Sequence, residues 1–233
     1  MDHPQKAALF WSGGKDSALA LYLARQNPEI EVTTLVCTLN ESYRRISLHG
    51  IREEVLDRQV AQTGLALMKM WVPDSPDNSV YETELLKIYA DLKKQGISLV
   101  VYGDIFLEDL RIYREKLLDE VGLKGYFPLW KQETGQLIRE FLALGFKTVI
   151  CCISTDTLTE SCLGRLIDNR FLEELPPSVD PCGENGEFHT FCFAGPIFKE
   201  EVRFHTGEKH YSALQLKTLK EVKETGFWYL DIL

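Results

Sequence analysis

Short apolar or β-branched runs alternate along this chain with longer stretches of helical spacing, and that alternation constrains its fold more than any other feature. Strand-like runs cover residues 6–11 (KAALFW), 31–39 (EVTTLVCTL), 65–72 (LALMKMWV), 98–105 (SLVVYGDI) and 146–154 (FKTVICCIS). Helical stretches begin at about Asp16 and continue over 51–64, where Ile51, Val55 and Leu56 share one side, then over 80–96, 108–122 and 134–145. Gly122 suits a C-cap. Strands separated by helices require right-handed crossovers, so the sequence predicts an α/β fold with a mostly parallel sheet and helices on both faces. After about Asp168 the pattern changes. A Pro- and Gly-rich stretch, LPPSVDPCGENGEFHTF, leads into strand-like runs at 191–198, 200–206 and 226–233. The expectation is an α/β domain over 1–168 with a smaller β-rich part over 169–233 packed on it.

A net charge of −9 across 233 residues disfavours a general nucleic-acid binder, because phosphate contacts need a basic face. The six cysteines form no CxxC pair and no metal-finger spacing; Cys37, Cys151 and Cys152 sit within apolar runs, as reduced core thiols do. No leader-like segment and no apolar run near 18 residues is present, so the chain reads as cytoplasmic with no membrane span.

The first strand-like run ends at Ser12-Gly13-Gly14-Lys15-Asp16-Ser17 and helical spacing resumes at once. In a parallel α/β sheet, ligands sit where strand ends lead into helices. Gly13 and Gly14 permit a tight turn and close backbone approach to an anion. The N–H groups opening the helix add the positive end of its dipole. Lys15 supplies a charge, and Ser12 and Ser17 supply hydroxyls. Asp16 repels a bare phosphate, so its presence points to a metal–nucleotide ligand, with Asp16 toward the metal. A Gly-Gly turn with an Asp cap and a solvated lysine explains the glycines but not the serines. Lys15 and Asp16 are expected on an exposed loop.

The spacing is neither GxxxxGK[ST] nor GxGxxG. SGGKDS resembles the SGGxDS signature of the PP-loop ATP pyrophosphatases, which implies ATP cleavage to AMP and pyrophosphate with Mg²⁺. Further on stand Gly103-Asp104-Ile105, Arg111 and Glu115, Pro128–Trp130, Leu163–Arg165, and GENGEFHTF followed by GPIF. In that order, up to about Phe198, these resemble the diphthine–ammonia ligase family and its short archaeal and bacterial relatives. The resemblance implies a carboxylate activated as an acyl-adenylate and attacked by ammonia, with ATP and ammonium as substrates. It implies a carboxylate acceptor, a modified histidine on a translation elongation factor being the candidate, and it admits a homodimer. Carried over residue by residue, Ser12 to Ser17 hold the phosphates, with Gly103 and Asp104 near the nucleotide or metal. His49, Arg111, Glu115, Arg165, Glu184 and Glu187 form the acceptor side. Lys15, Asp16, Asp104, Glu184 and Glu187 carry the chemistry.

Plainer roles stand beside these. Asp104 suits a helix N-cap, Arg111 and Glu115 a surface pair four apart, Glu184 and Glu187 a solvated turn, and His49 a helix entry. Trp130 reads as core. Two positions depart from the family pattern: Tyr113 stands where a second arginine is frequent, and His189 where many eukaryotic relatives have glutamate. The additional C-terminal domains of the eukaryotic ligases are not in this sequence. Other enzymes with this loop use an N-terminal cysteine to release ammonia from glutamine, whereas this chain begins Met1-Asp2, so ammonia itself is the expected donor. A tRNA-thiolating or lysidine-forming relative needs reactive thiols or an RNA-binding appendix. A nucleotide sensor has no use for the downstream arginines and carboxylates.

Overall fold

Strand β1 (Gln5–Phe10) runs through the middle of a parallel sheet, and its side chains alternate between two apolar layers. Ala7 and Leu9 enter one layer with Leu35 and Cys37 of β2 (Ile30–Asn40) and Leu99 and Val101 of β5 (Leu99–Val101). Ala8 enters the other with Val36 and Val100. A period of two that is apolar on both faces marks strands covered from both sides. Helices α1 (Lys15–Gln26) and α2 (Glu53–Thr63) cover the first face through Ala18, Leu21, Val55 and Leu56. Helices α3 (Asn78–Lys94) and α4 (Glu108–Val121) cover the second through Leu85, Tyr89, Leu117 and Leu118. The structure is a computed structural model that describes residues 3–74, 77–217 and 222–233. Met1 and Asp2, on which the expectation about the nitrogen donor rests, lie outside the described residues.

β2 pairs with β1 and with β4 (Ala66–Val72), and β1 pairs with β5, which pairs with β6 (Lys124–Tyr126); all four pairings are parallel. The two-residue β3 (Arg45–Ile46) runs antiparallel to the end of β2. The α/β class, the mostly parallel sheet and the helices on both faces are therefore those the sequence predicts. The chain moves outward from β1 to β2 and β4, then crosses back to lay β5 and β6 on the other side. Because α1 and α4 leave β1 and β5 toward opposite faces, a crevice opens at their carboxyl ends.

After α5 (Thr134–Ala143) a second sheet forms in the order β8 (Phe188–Ala194), β7 (Lys147–Ser154), β10 (Val222–Ile232), β9 (Thr206–Lys217), all neighbours antiparallel. It shares a core with the α1–α2 layer through Val149, Cys151, Phe191 and Cys192. The strand expected over 146–154 thus forms, but in this antiparallel sheet rather than as another parallel strand. Seven of its eight residues are buried, so its apolar run looks the same in either setting. The strand expected over 200–206 is absent: 201–205 is irregular, anchored by Val202, whose N–H donates to Phe193 O at 2.7 Å, and β9 starts only at Thr206. The run 98–105 is strand only over β5; Tyr102 and Ile105 are buried loop residues, which explains the apolar reading. Asp168 caps α6 (Asn169–Glu174) by accepting from Phe171 N–H, and the change of pattern there marks that cap. Gly122 ends α4 in the left-handed region, as a C-cap should. All six cysteines are free, and five of them are buried. Among the described residues no helix is long and apolar enough to cross a membrane.

Candidate functional site

The crevice between β1 and β5 is lined by the two loops that follow these strands. Gly13 takes φ +79°, open to glycine at no steric cost, and Gly14 is the N-cap of α1 without a side-chain cap of its own. Strand β8 and helix α2 clamp this turn. Gly13 O accepts from Cys192 N–H (2.8 Å) and from Gln59 Nε2 (2.9 Å), and Gln59 Oε1 accepts from Trp11 Nε1 (2.8 Å). The Lys15 N–H donates to Thr190 Oγ1 at 3.1 Å. A Cβ on Gly14 would stand 2.7 Å from His49 Cε1 and 3.1 Å from Thr190 O, so here glycine admits the clamp itself. Ser12 and Ser17 hydroxyls lie 3.2 Å apart, and Ser17 Oγ donates to Gly14 O (3.0 Å).

Lys15 is not on an exposed loop. Its side chain turns inward, 3% exposed, with Nζ 2.7 and 2.9 Å from the two Asp16 oxygens and 5.6 Å from the Phe188 ring centroid. Burial works to lower its pKa, but Asp16, Cys182 and Glu184 outweigh that and raise it. The ammonium is therefore held charged among anionic partners.

The loop after β5 touches the loop after β1 backbone to backbone. A Cβ on Gly103 would lie 2.9 Å from the Asp16 carbonyl carbon and 3.1 Å from Ser17 N. Asp104 follows and is half-buried. It is no helix cap, since α4 begins at Glu108 with Leu107 as its cap. Burial raises its pKa, Arg114 opposes this and Asp16 adds to it. Arg114 Nε lies 3.1 Å from Asp104 Oδ2.

The segment before β8 supplies the third side. Asp180 accepts from the N–H groups of Cys182 (2.8 Å) and Glu184 (3.3 Å), bracing a tight turn. Glu187, 4% exposed, accepts from Asp180 N–H, Asn185 N–H and Asn185 Nδ2. Of the two carboxylates of this turn, Glu187 is buried and Glu184 half-buried. Glu187 holds the turn, while Glu184 reaches across it to accept from Ile105 N–H (2.8 Å) and Phe106 N–H (3.3 Å). Burial pushes Glu184 up to about 7, against the Ile105 bond and with Asp16 adding to the rise. Lys15, Asp16, Asp104 and Glu184 thus form one electrostatically coupled group.

The other expected residues lie in different settings. His49 is half-buried beside Gly14, with Nδ1 2.9 Å from Thr190 O and its ring 4.8 Å from that of His189; desolvation lowers it to about 4, so it is neutral at pH 7. Arg111 rests 4.7 Å from both the Phe127 and Trp130 ring centroids and pairs with Glu115 at 2.9 Å. Trp130 is half-buried beneath it. Arg165 pairs with Glu174 at 2.7 Å and stacks on Phe171, whose ring lies edge-on to Phe188. Two rings, Phe171 and Phe188, lie between it and Lys15. Arg114 and Gln59 were missed by the sequence reading. Arg114 follows Arg111 by three residues on the same helix, and that spacing was the available signal; Gln59 looked like any polar residue on an amphipathic helix.

Among the described residues no three His, Cys, Asp or Glu side chains converge as a metal cage. The crevice carries two carboxylates, Asp16 and Asp104, close enough that Asp16 adds to the rise in the Asp104 pKa.

A family model described as diphthamide synthase N-terminal domain matches residues 5–125, and one described as diphthamide synthase C-terminal domain matches residues 133–224. The diphthine–ammonia ligase of Rattus norvegicus is 29% identical over 130 residues, covering 54% of this chain and 48% of that protein. The protein of the same name from Homo sapiens is 29% identical over 131 residues with the same coverage. That of Schizosaccharomyces pombe is 25% identical over 110 residues, covering 46% of this chain and 18% of its own length. The chain spans about half the length of the mammalian relatives it matches, 48% in each of these two.

Proposed function

The chain belongs to the diphthamide synthase family, and from that premise we propose that it is an ATP-dependent, AMP-forming amide ligase. A carboxylate oxygen attacks the α-phosphorus of ATP, pyrophosphate leaves, and ammonia then attacks the acyl carbon and displaces AMP. The observation that carries this reading is the backbone contact of Gly103 with Asp16 and Ser17, which brings the two loops and their charges together at the sheet's switch point. The relatives' name pairs diphthine with ammonia; a carboxylate acceptor and ammonia are what we carry over to this chain.

The roles follow from charge. Lys15 already rests on a carboxylate, and a polyphosphate exchanges that partner for a more strongly charged one; Ser12, Ser17 and the turn at Gly13 and Gly14 complete the cradle. Magnesium bound with the triphosphate supplies charge neutralisation as pyrophosphate leaves, and Asp16 and Asp104 are the residues that would hold it. Glu184, poised near 7, binds ammonium when ionised and takes the proton whose loss frees ammonia to attack; the second proton, released as the amide forms, leaves with the AMP phosphate or to water. Glu187 serves the same step by fixing the turn that aims Glu184.

The test incubates the chain with Mg²⁺, ATP, ammonium and a series of carboxylates, with products separated by chromatography. AMP and pyrophosphate are expected in equal amounts with the amide, and Lys15→Met is expected to slow their formation by about 10²–10³-fold. Release of ADP in place of AMP, or unchanged AMP release by Lys15→Met, overturns the reading.

A further inference from the structure

An acceptor carboxylate calls for a cation, and the two arginines read from the sequence are occupied: Arg111 by Glu115 and two rings, Arg165 by Glu174 and Phe171. A third arginine lies on the α3–α4 side of the sheet. Arg114 lines a cavity of about 40 Å³ at the carboxyl ends of β1 and β5, walled by Phe10, Tyr81, Tyr89, Tyr102 and Tyr113. Its guanidinium carbon lies 4.1 Å from the Tyr102 ring centroid. Although Arg114 Nε and Asp104 Oδ2 are 3.1 Å apart, both are buried and neither has a hydrogen-bond partner. The Nε–H of this arginine thus lies beside its ion-pair partner without completing a hydrogen bond to it.

A buried donor without a partner is costly, and a half-buried guanidinium that faces a cavity has N–H groups to offer a ligand. The size of the cavity narrows what that ligand is. One water position takes about 10–15 Å³ of such space, so the cavity admits about three heavy atoms, the size of a carboxylate. The half-buried setting strengthens a charge contact, and the planar fork of arginine matches two carboxylate oxygens. Asp104 sits at the Nε side of the fork. The residue before it, Gly103, touches the phosphate loop, so the cavity adjoins the place where ATP is held.

Resting on the ligase reading, we propose that this tyrosine-walled cavity is the subsite for a carboxylate of the acceptor, held by the guanidinium of Arg114. Trifluoroacetate serves as the probe, its ¹⁹F line followed on adding the whole chain without ATP. Saturable broadening is expected, with affinity at least about tenfold weaker in Arg114→Met. Leu110, also in the cavity wall, provides a second variant that leaves the charge in place: Leu110→Trp fills the space and abolishes the broadening. Circular dichroism verifies that each variant is folded, and either one alone decides the matter if the other is not. No broadening by the wild type, or broadening retained in a folded variant, overturns the subsite. Turnover separates this result from the ligase reading. Probe binding lost in both variants with no AMP formed on any carboxylate leaves the subsite standing without the ligase. AMP formation with an unchanged acceptor KM in Arg114→Lys removes the subsite and leaves the ligase.

Discussion

Two groups of partly buried charge join the parallel sheet to the antiparallel one, and they are built in opposite ways. In the first, Asp231 of β10 accepts from Arg45 Nη1 (2.8 Å), Arg52 Nε (3.0 Å) and Arg52 Nη2 (2.7 Å), while Arg45 also donates to Gly50 O (2.7 Å). Burial works to raise the Asp231 pKa, but the two arginines hold it at about 2. In the second, at the crevice, burial raises Asp104 and carries Glu184 to about 7, and the Asp104–Arg114 pair leaves polar atoms without hydrogen bonds. Burial alone therefore does not separate scaffold from site. Saturation of the hydrogen bonds does: a completed ion cluster resists change, whereas an incomplete one keeps capacity for a ligand.

The comparison is sharpened first at Glu184. Glu184→Gln keeps the shape of the turn and removes the titrating group, and kcat for amide formation is expected to fall about 10²–10⁴-fold. In the wild type the rate should decline below about pH 7 as Glu184 takes up its proton. The variant should lose that acid limb. A pH–rate series on both proteins decides, and an identical limb in the variant assigns the titration to another group.

At the saturated cluster the expected effect is on stability and not on rate. Asp231→Asn should cost about 1–2 kcal/mol at pH 7, discounted for the partial exposure of both arginines. The folded pKa lies below the ordinary aspartate value, so the contribution is complete above about pH 4 and disappears as pH falls through about 2. Urea unfolding across that range should show the two proteins converging in acid. A loss of AMP formation out of proportion to unfolding would break the division between the clusters.

The smallest effect belongs to Arg165. Arg165→Ala removes a half-exposed pair with Glu174 and a stack on Phe171, and is expected to shift unfolding by under about 1 kcal/mol and acceptor KM by under about twofold. A tenfold rise in KM would return Arg165 to the acceptor side.

Much of the crevice was legible in the sequence because its loops are local. A strand, two glycines and a helix start within ten residues, and Gly103-Asp104 stands at the end of the next buried run. The acceptor side was less legible, because side chains on one helix diverge. Arg111 and Arg114 lie three apart, yet one rests on Phe127 and Trp130 while the other lines the cavity with Asp104. Glu184 and Glu187 lie three apart in one turn, and one reaches the β5 loop while the other braces the turn. The strand over 146–154 was read correctly as a strand, but its partners come from 188–194 and 222–232, and no local pattern specifies them.

By itself, the sequence determined the alternation of elements, the parallel sheet, the glycine turn after β1 and the types of charge gathered in the family's motifs, since periodicity and backbone freedom are properties of neighbouring residues. Tertiary structure alone decided which charges are saturated. Lys15 is buried because β8 and α2 close over its loop, Glu184 is displaced to about 7 because the β5 loop desolvates it, and Arg114 Nε completes no hydrogen bond because Asp104, its ion-pair partner, is imperfectly aligned. Each of these follows from distance between segments far apart in the chain, and desolvation depends on everything packed around a group rather than on its place in the sequence.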